Sequence, residues 1–412
     1  MERVGIIGAV RTPIGNFGGS LKTVPAYDLA ALVLSEAVKR AVVRPDMVNM
    51  VIMGQNYQNG EYVNIARMGL LLSDWPVDIP GITVDRRCPS GSDAISLGTL
   101  MIESGNSDVI VAGGVESMST AEFYLRGEMR WSMGGTGDMP HGHGSLSTWS
   151  TPLYDRILRA RTMSQPVRRF GVVSSMLTWG EAAAKEYNLS REEADKWAVR
   201  SHQRAFAAIA SGRFAQEIIP VTVSSDKGSP VVFSQDEHPR ADSTLETLSR
   251  LKPVIGGICT AANSSGENDG AAAIVLMSER KIQTLGLKPM AFMKSFAFSG
   301  SDPRYAYKAT AVAVNLALNK TGLKLKDIDL IELHEAFASQ VLANFIELGL
   351  TEEDYTRINV NGSCIALGHP LGATGARIVT TLVYEMNRRN ARYGLVAICG
   401  GGGMGAAIVL ER

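Results

Sequence analysis

Cysteine is scarce in this 412-residue chain: there are 4, at positions 88, 259, 364 and 399. Their scatter makes neither a disulfide framework nor a zinc-like spacing. That usage fits a reducing compartment, so a cytoplasmic location is expected. An excess of charge of either sign is also missing: 41 Lys+Arg balance 41 Asp+Glu, for a formal net charge of +0. Nothing chain-wide therefore attracts nucleic acid or an anionic membrane. No apolar run is long enough to span a bilayer. The strand-like Val4-Gly-Ile-Ile-Gly-Ala-Val10 begins so early that no signal or transit peptide is expected. What the chain does have is glycine, 42 residues, against an average usage of roughly 7 %. Many of these glycines fall where strand-like segments meet helical ones.

The remainder is organised around residues 84–119. Cys88-Pro-Ser-Gly91 is a small-residue turn, and Ala94, Ile95, Leu97, Leu100, Met101 and Ile102 follow it at helical spacing. The helix breaks at Gly105-Asn-Ser107, and Asp108-Val-Ile-Val-Ala-Gly-Gly114 reads as a buried strand. Pro89 suits the first helical position. Cys88 is then expected at a helix start, where free N–H groups and the dipole stabilise a thiolate. A small cysteine packed under a helix start is the plainer alternative.

Before this stretch, strands are expected over residues 4–10 and 49–54, and helices over 27–42 and 64–72. The alternation predicts an α/β layer with a mostly parallel sheet. Residues 124–170 mix Trp131, Met133, Met139, His141, His143 and Trp149 with glycines and arginines without a period, as functional or mobile segments do. Helices return at 177–187 and 191–211, the second opened by a Ser190/Glu193 capping box, and short strands occupy 219–255. The second half then repeats the element order of the first. Asp327-Ile-Asp-Leu-Ile-Glu-Leu-His-Glu335 answers residues 46–54, and Gly394-Leu-Val-Ala-Ile-Cys-Gly-Gly-Gly-Gly403 answers 108–114. A duplicated α/β unit is the predicted architecture. The division expected is 1–119 with 268–287 as the first half, 120–267 as an inserted cap, and 288–412 as the second half. In this register Cys88 and His369 lie on corresponding turns.

His369 is held between Gly368 and Pro370, better placed as a positioned acid/base than a free surface histidine. Cys399 ends a strand and is followed by Gly400–Gly403, a run that exposes backbone N–H groups to an oxyanion. His334 follows the strand-like 330–333, at a strand end where ligand sites gather in α/β sheets.

Seven segments occur in one order: Ala9-Val-Arg-Thr-Pro-Ile-Gly15, Arg86-Arg-Cys-Pro-Ser-Gly91, Gly113-Gly-Val-Glu-Ser-Met118, Asn263-Ser-Ser-Gly-Glu-Asn-Asp-Gly270, His334-Glu-Ala-Phe-Ala338, residues 359–377 and Cys399–Gly405. In these the chain resembles the thiolase family, nearly end to end. The resemblance implies two βαβαβαββ halves in a five-layered α-β-α-β-α arrangement, with a loop domain inserted in the first. It implies Cys88 as the acyl-accepting nucleophile, His369 as its base and Cys399 as the second acid/base. Backbone amides of Cys88 and Gly401 would form one oxyanion hole, and His369 with a water held by His334 another. Coenzyme A, a co-substrate and not a resident cofactor, would meet Arg240, Thr247, Ala261 and Ser265, with Met176 lining the acyl pocket. No metal is implied.

Several positions depart from the family pattern. Asp85 replaces a usual asparagine, Ser363-Cys364 replace smaller residues, and Leu177 and Trp179 stand where small residues are usual. His334 replaces an asparagine, as in thiolases resembling the β subunit of the fatty-acid trifunctional complex. The expected activity is thiolysis of a 3-oxoacyl-CoA by CoA, by a homodimer or tetramer, with an accessory subunit not excluded. The alternatives are condensation of acetyl-CoA, a specialisation for branched or aromatic acyl groups, a carrier-dependent decarboxylating condensation, and a non-catalytic CoA or lipid carrier.

Overall fold

The computed structural model describes residues 2–127, 153–173, 175–224 and 228–412. Every residue of the strand Val109–Ser117 is buried, because its two faces enter different apolar clusters. Val109, Val111 and Val115 face one, while Ile110 and Ala112 face another, as the two-residue period of a strand requires. The first cluster is closed by the helices Ala26–Arg40 and Ile65–Leu72 through Leu29, Val33, Leu34 and Leu70. The second is closed by Ser90–Glu103 and Leu371–Arg389 through Ala94, Ile95, Ile378 and Leu382.

Those two helices also cover Val396, Ile398, Ile408 and Leu410 of the strands Tyr393–Gly400 and Met404–Glu411. The far face of these strands, Leu395, Ala397, Ala407 and Val409, packs on the helices Lys308–Asn319 and Ala338–Leu348. The result is five layers, helix–sheet–helix–sheet–helix, with Ser90–Glu103 and Leu371–Arg389 in the middle.

Strand order shows the duplication. In the first half Gly81–Val84, Met50–Gly54, Val109–Ser117, Asn268–Ser278 and Val4–Arg11 lie side by side. In the second, Leu330–Leu333, Tyr393–Gly400, Met404–Glu411 and Ala291–Gly300 repeat that order, with Ile358 bridging to Ile331 in place of the outermost strand. The sheet is not mostly parallel, as the sequence suggested. The outer ladders are parallel, but the last strand of each half returns antiparallel between its neighbours. In the second half a tight glycine turn makes this return, and only antiparallel strands admit such a hairpin.

The segment between Val109–Ser117 and Asn268–Ser278 is tied closely to the layers. Its helix Arg191–Ala210 opens with the expected Ser190/Glu193 capping box. Trp197 of that helix meets Phe345 and Tyr355 edge-on, at 4.9 and 5.4 Å between ring centroids. Arg11, fully buried at the end of the first strand, binds Glu217 at 2.6 Å and Asp236 at 2.7 Å. The irregular stretch holding Trp131, Met133, Met139, His141, His143 and Trp149 lies outside the described residues. Among the described residues no helix is long and apolar enough to cross a membrane.

The two central helices meet backbone to backbone. A Cβ added at Gly91 would lie 2.7 Å from the amide nitrogen of Ala376 and 2.8 Å from the carbonyl oxygen of Gly372, closer than packed atoms approach. Gly91→Ala is therefore expected to push the helices apart at a cost of about 1–3 kcal/mol. Thermal unfolding should show a drop of several degrees, together with a loss of activity. An unchanged midpoint would contradict the close contact.

Candidate active site

Cys88 stands on a turn whose backbone is held by side chains. Arg87 before it has φ +61°, a left-handed conformation that costs a non-glycine residue energy and needs support. Asp85 Oδ1 gives that support, accepting from the Arg87 amide at 2.9 Å and from Asn56 Nδ2 at 3.1 Å. Ser90 Oγ accepts from the Arg86 amide at 2.8 Å and donates to the Arg87 carbonyl at 2.6 Å. The helix begins at Ser90 with Pro89 as its N-cap. Pro89 is thus one position earlier than the sequence suggested, and Cys88 lies outside the helix.

His369 reaches the same point from the second half. Its Nε2 is 3.3 Å from Cys88 Sγ, and its Nδ1 is 2.7 Å from Thr374 Oγ1. Thr374 spends its single hydroxyl proton on the Pro370 carbonyl at 3.0 Å, so towards His369 it accepts. The imidazole then carries its proton on Nδ1 and turns a bare Nε2 lone pair to the thiol, the tautomer a base requires. The backbone amide of His369 donates to Asn268 Oδ1 at 2.8 Å, fixing the turn.

Cys399, at the end of its strand, lies 3.3 Å from Nδ1 of the fully buried His334. His334 Nε2 is buried without a partner among the described residues, and the His334 and His369 rings are 4.4 Å apart. Gly400 lets this strand end reach the Cys88 turn, since a Cβ there would lie 2.7 Å from Pro89 Cδ. The amides of Gly401 and of Cys88 itself both act on Cys88 Sγ as hydrogen-bond donors.

Burial works against the thiolate that a helix start favours. Burial pushes the Cys88 thiol up to about 11, outweighing the Gly401 amide, Arg87 and its own amide. Burial, with help from His334, Arg377 and Arg161, holds His369 well below the usual imidazole range. Both shifts favour the neutral forms, thiol and imidazole.

One cavity gathers Cys88, His369, Cys399 and Gly401 with Met176, Ala261 and Ser265. Leu177 and Trp179 line it too, and Trp179 is only 8 % exposed, so it belongs at once to pocket and core. His334 stands behind the wall, in contact with Cys399. Arg240 and Thr247 are exposed and lie off the cavity lining. Thr247 Oγ1 is taken up by the Asp242 carbonyl at 3.0 Å and by its own helix cap.

The family model for the thiolase N-terminal domain matches residues 4–280, and that for the C-terminal domain matches 287–412. The chain belongs to the thiolase family. It is 42% identical to the acetyl-CoA acetyltransferase of Escherichia coli K12 and 40% identical to a beta-ketoadipyl-CoA thiolase of Acinetobacter baylyi, with 100% of both chains covered in each case. The crystal structure of the Bacillus anthracis acetyl-CoA acetyltransferase superposes with a TM-score of 0.91 at 40% identity, covering 100% of this chain and 99% of that one. This thiolase is accordingly an acyltransferase with the five-layered family fold.

Sequence reasoning passed over several residues of the site. Thr374 orients the His369 ring, and its signal was a threonine in the first turn of the helix Leu371–Arg389 that follows the histidine. Glu116 joins the halves, accepting from the amides of Asn56 and Tyr57 at 3.0 Å each and of Gly372 at 2.8 Å. Tyr57, Arg87 and Arg161 line the cavity. Cys364, expected beside the site, is buried and accepts from Arg377 Nη2 at 2.8 Å. His334, Cys364 and His369 each offer a donor atom, all within 4.8 Å of one another. Both His369 nitrogens and His334 Nδ1 already hold hydrogen-bond partners, however, so a cation there would have to break the contacts to Cys88 or Thr374.

A neutral resting pair has a direct consequence. Alkylation of Cys88 by iodoacetamide should keep accelerating with pH beyond about 8.5, the midpoint of a free cysteine. The raised thiol loses its proton only as pH climbs towards its shifted value. A rate already level at neutral pH would mean a resting thiolate.

Proposed function

We propose that this thiolase cleaves a 3-oxoacyl-CoA with CoA, through a thioester on Cys88. The observation that carries the reading is the convergence of Cys88, the Nε2 lone pair of His369 and Cys399 on one cavity, beside the amides of Cys88 and Gly401. His369 takes the thiol proton as Cys88 Sγ attacks the C3 carbonyl. The C2–C3 bond breaks, and Cys399 protonates C2 to release acetyl-CoA. CoA then gives its thiol proton to the Cys399 thiolate and attacks the Cys88 thioester. Sulfur leaves and recovers its proton from His369. Dividing the reaction in this way suits a cysteine nucleophile paired with a base.

The amides of Cys88 and Gly401 would meet the oxyanion on the acyl carbonyl. His369, with a water held by His334, would meet that on the thioester enolate. The unpartnered Nε2 of the buried His334 favours such a water. We assign 120–267 as the CoA-binding cap between halves 1–119 with 268–287 and 288–412. In it Ala261 and Ser265 meet the pantetheine arm, Met176 the acyl group, and Arg240 and Thr247 the nucleotide at the exposed rim. The names of the relatives do not choose a direction, because an acetyltransferase and a beta-ketoadipyl-CoA thiolase match almost equally well. CoA and acyl-CoA are the proposed partners, in the cytoplasm. The His334–Ala338 segment keeps the trifunctional-complex type, with an accessory subunit, within this reading.

The roles are separable. Cys88→Ala should form no acyl-enzyme, whereas Cys399→Ala should acylate from an acyl-CoA and then stall at the Claisen step. Intact-mass and peptide spectrometry would decide. An acyl group on Cys399 with Cys88 unmodified in the wild type would sink the assignment.

A homo-oligomer, at least a dimer, is also proposed. The buried strand Val109–Ser117 gives no ground for it, being covered on both faces within one chain. The edge strand Gly81–Val84 does, since among the described residues it pairs on one side only. Beside it Ile82, Leu97 and Leu100 are 42%, 36% and 43% exposed. An open edge flanked by apolar side chains invites a second copy. Light scattering at micromolar concentration should give a multiple of the chain mass, and a monomer alone would count against it.

A further inference from the structure

We infer that the acyl pocket is built for a 3-oxoacyl group ending in a carboxylate, with Arg87 as its anchor. This inference rests on the thiolytic reading above. Arg87 precedes the proposed nucleophile and lines the same cavity, half-buried. Its backbone is engaged, but its guanidinium has no ion-pair or hydrogen-bond partner among the described residues. The left-handed backbone that Asp85 enforces aims the side chain along the cavity wall. Arg87 Cδ lies 3.7 Å, and the tip of the Trp179 ring 3.1 Å, from the point where a Cβ on Gly401 would sit. The stem of the arginine thus runs beside the amide that faces Cys88 Sγ.

The charges of the cavity do not balance. Among the described residues Arg87 and Arg161 are its cationic lining residues, and the one anionic lining residue, Glu267, is already bonded to Arg161. Asp85 is exposed, off the lining, and turned to an amide and to Asn56. Tyr57, a further donor, lies within electrostatic reach of both arginines and of Cys88. A guanidinium held half out of water without a partner is costly, and an incoming anion removes that cost.

Place decides which anion. A side chain next to Cys88 meets the acyl group bonded to Cys88 Sγ, whereas the CoA phosphates hang from the far end of the pantetheine arm. Met176, Leu177 and Trp179 supply apolar wall on the same cavity. The occupant this describes has methylenes against the wall and a carboxylate on the guanidinium, the planar group that binds carboxylates in a fork.

The test uses the purified full chain and pairs of 3-oxoacyl-CoAs of equal length, one ending in a methyl and the other in a carboxylate. At the best length, wild-type kcat/KM should favour the carboxylate by about 10-fold or more. That ratio should shrink as salt rises to about 0.3 M, since screening acts on the charged partner alone. Arg87→Met should bring the ratio close to one, and Arg87→Lys should keep part of it. The ratio is read within one protein, so any general loss of activity cancels. A wild type that cleaves the methyl-ended member as well or better at every length overturns the inference and leaves thiolysis standing. So does an Arg87→Met enzyme with an undiminished ratio. Cleavage of neither member at any length overturns both readings.

Discussion

Everything at the site depends on two helices that touch through their backbones. Gly91 and Gly375 leave no room for side chains where Ser90–Glu103 crosses Leu371–Arg389, and the crossing lies at the N-terminal end of both. Each helix is entered by a turn, and each turn carries one member of the Cys88–His369 pair. Side chains at this crossing would push the two helices apart and shift the turns at their starts, and with them the 3.3 Å contact between Cys88 and His369. Catalytic geometry is here a consequence of core packing. Glu116 secures it by tying the amides of Asn56 and Tyr57 in the first half to that of Gly372 in the second.

The same burial that makes the geometry sets the protonation. Removing both groups from water raises the thiol and lowers the imidazole, so charge separation between them is unfavourable until something else stabilises it. On the proposed mechanism that something is the substrate. Negative charge moving from sulfur to a carbonyl oxygen beside the amides of Cys88 and Gly401 would offset the cost of the imidazolium, and such stabilising groups act most strongly as charge develops.

Much of this was legible in the residues. The duplication, the turns bearing Cys88 and His369, and the glycine run after Cys399 follow from period and punctuation, which are local properties. The mixed sheet was misread because strand direction depends on how distant segments meet, and the return of Asn268–Ser278 after a long insertion leaves no mark in its own sequence. The environment of the Cys88 thiol was hidden for a related reason. A helix start is visible in sequence, but the approach of Gly400 to Pro89 and of His369 to Cys88 comes from the second half of the chain. Glu116 was passed over because its partners lie far away in the chain, and Arg87 because its side chain has none among the described residues, whereas Thr374 acts on a neighbour five residues away and was legible.

Departures from the family pattern fall in both the duplicated halves and the insertion. Asp85 lies on the Cys88 turn, and His334 and Cys364 lie within 4.8 Å of His369 by their donor atoms. The segment between Val109–Ser117 and Asn268–Ser278 exists only in the first half and faces the cavity with Met176, Leu177 and Trp179. Asp85 keeps the turn closed by bonding the Arg87 amide, which leaves the Arg87 side chain to line the cavity. On the proposed reading the chemistry rests on the turns that the two halves share, and selection of the acyl group rests on the cavity residues beside them.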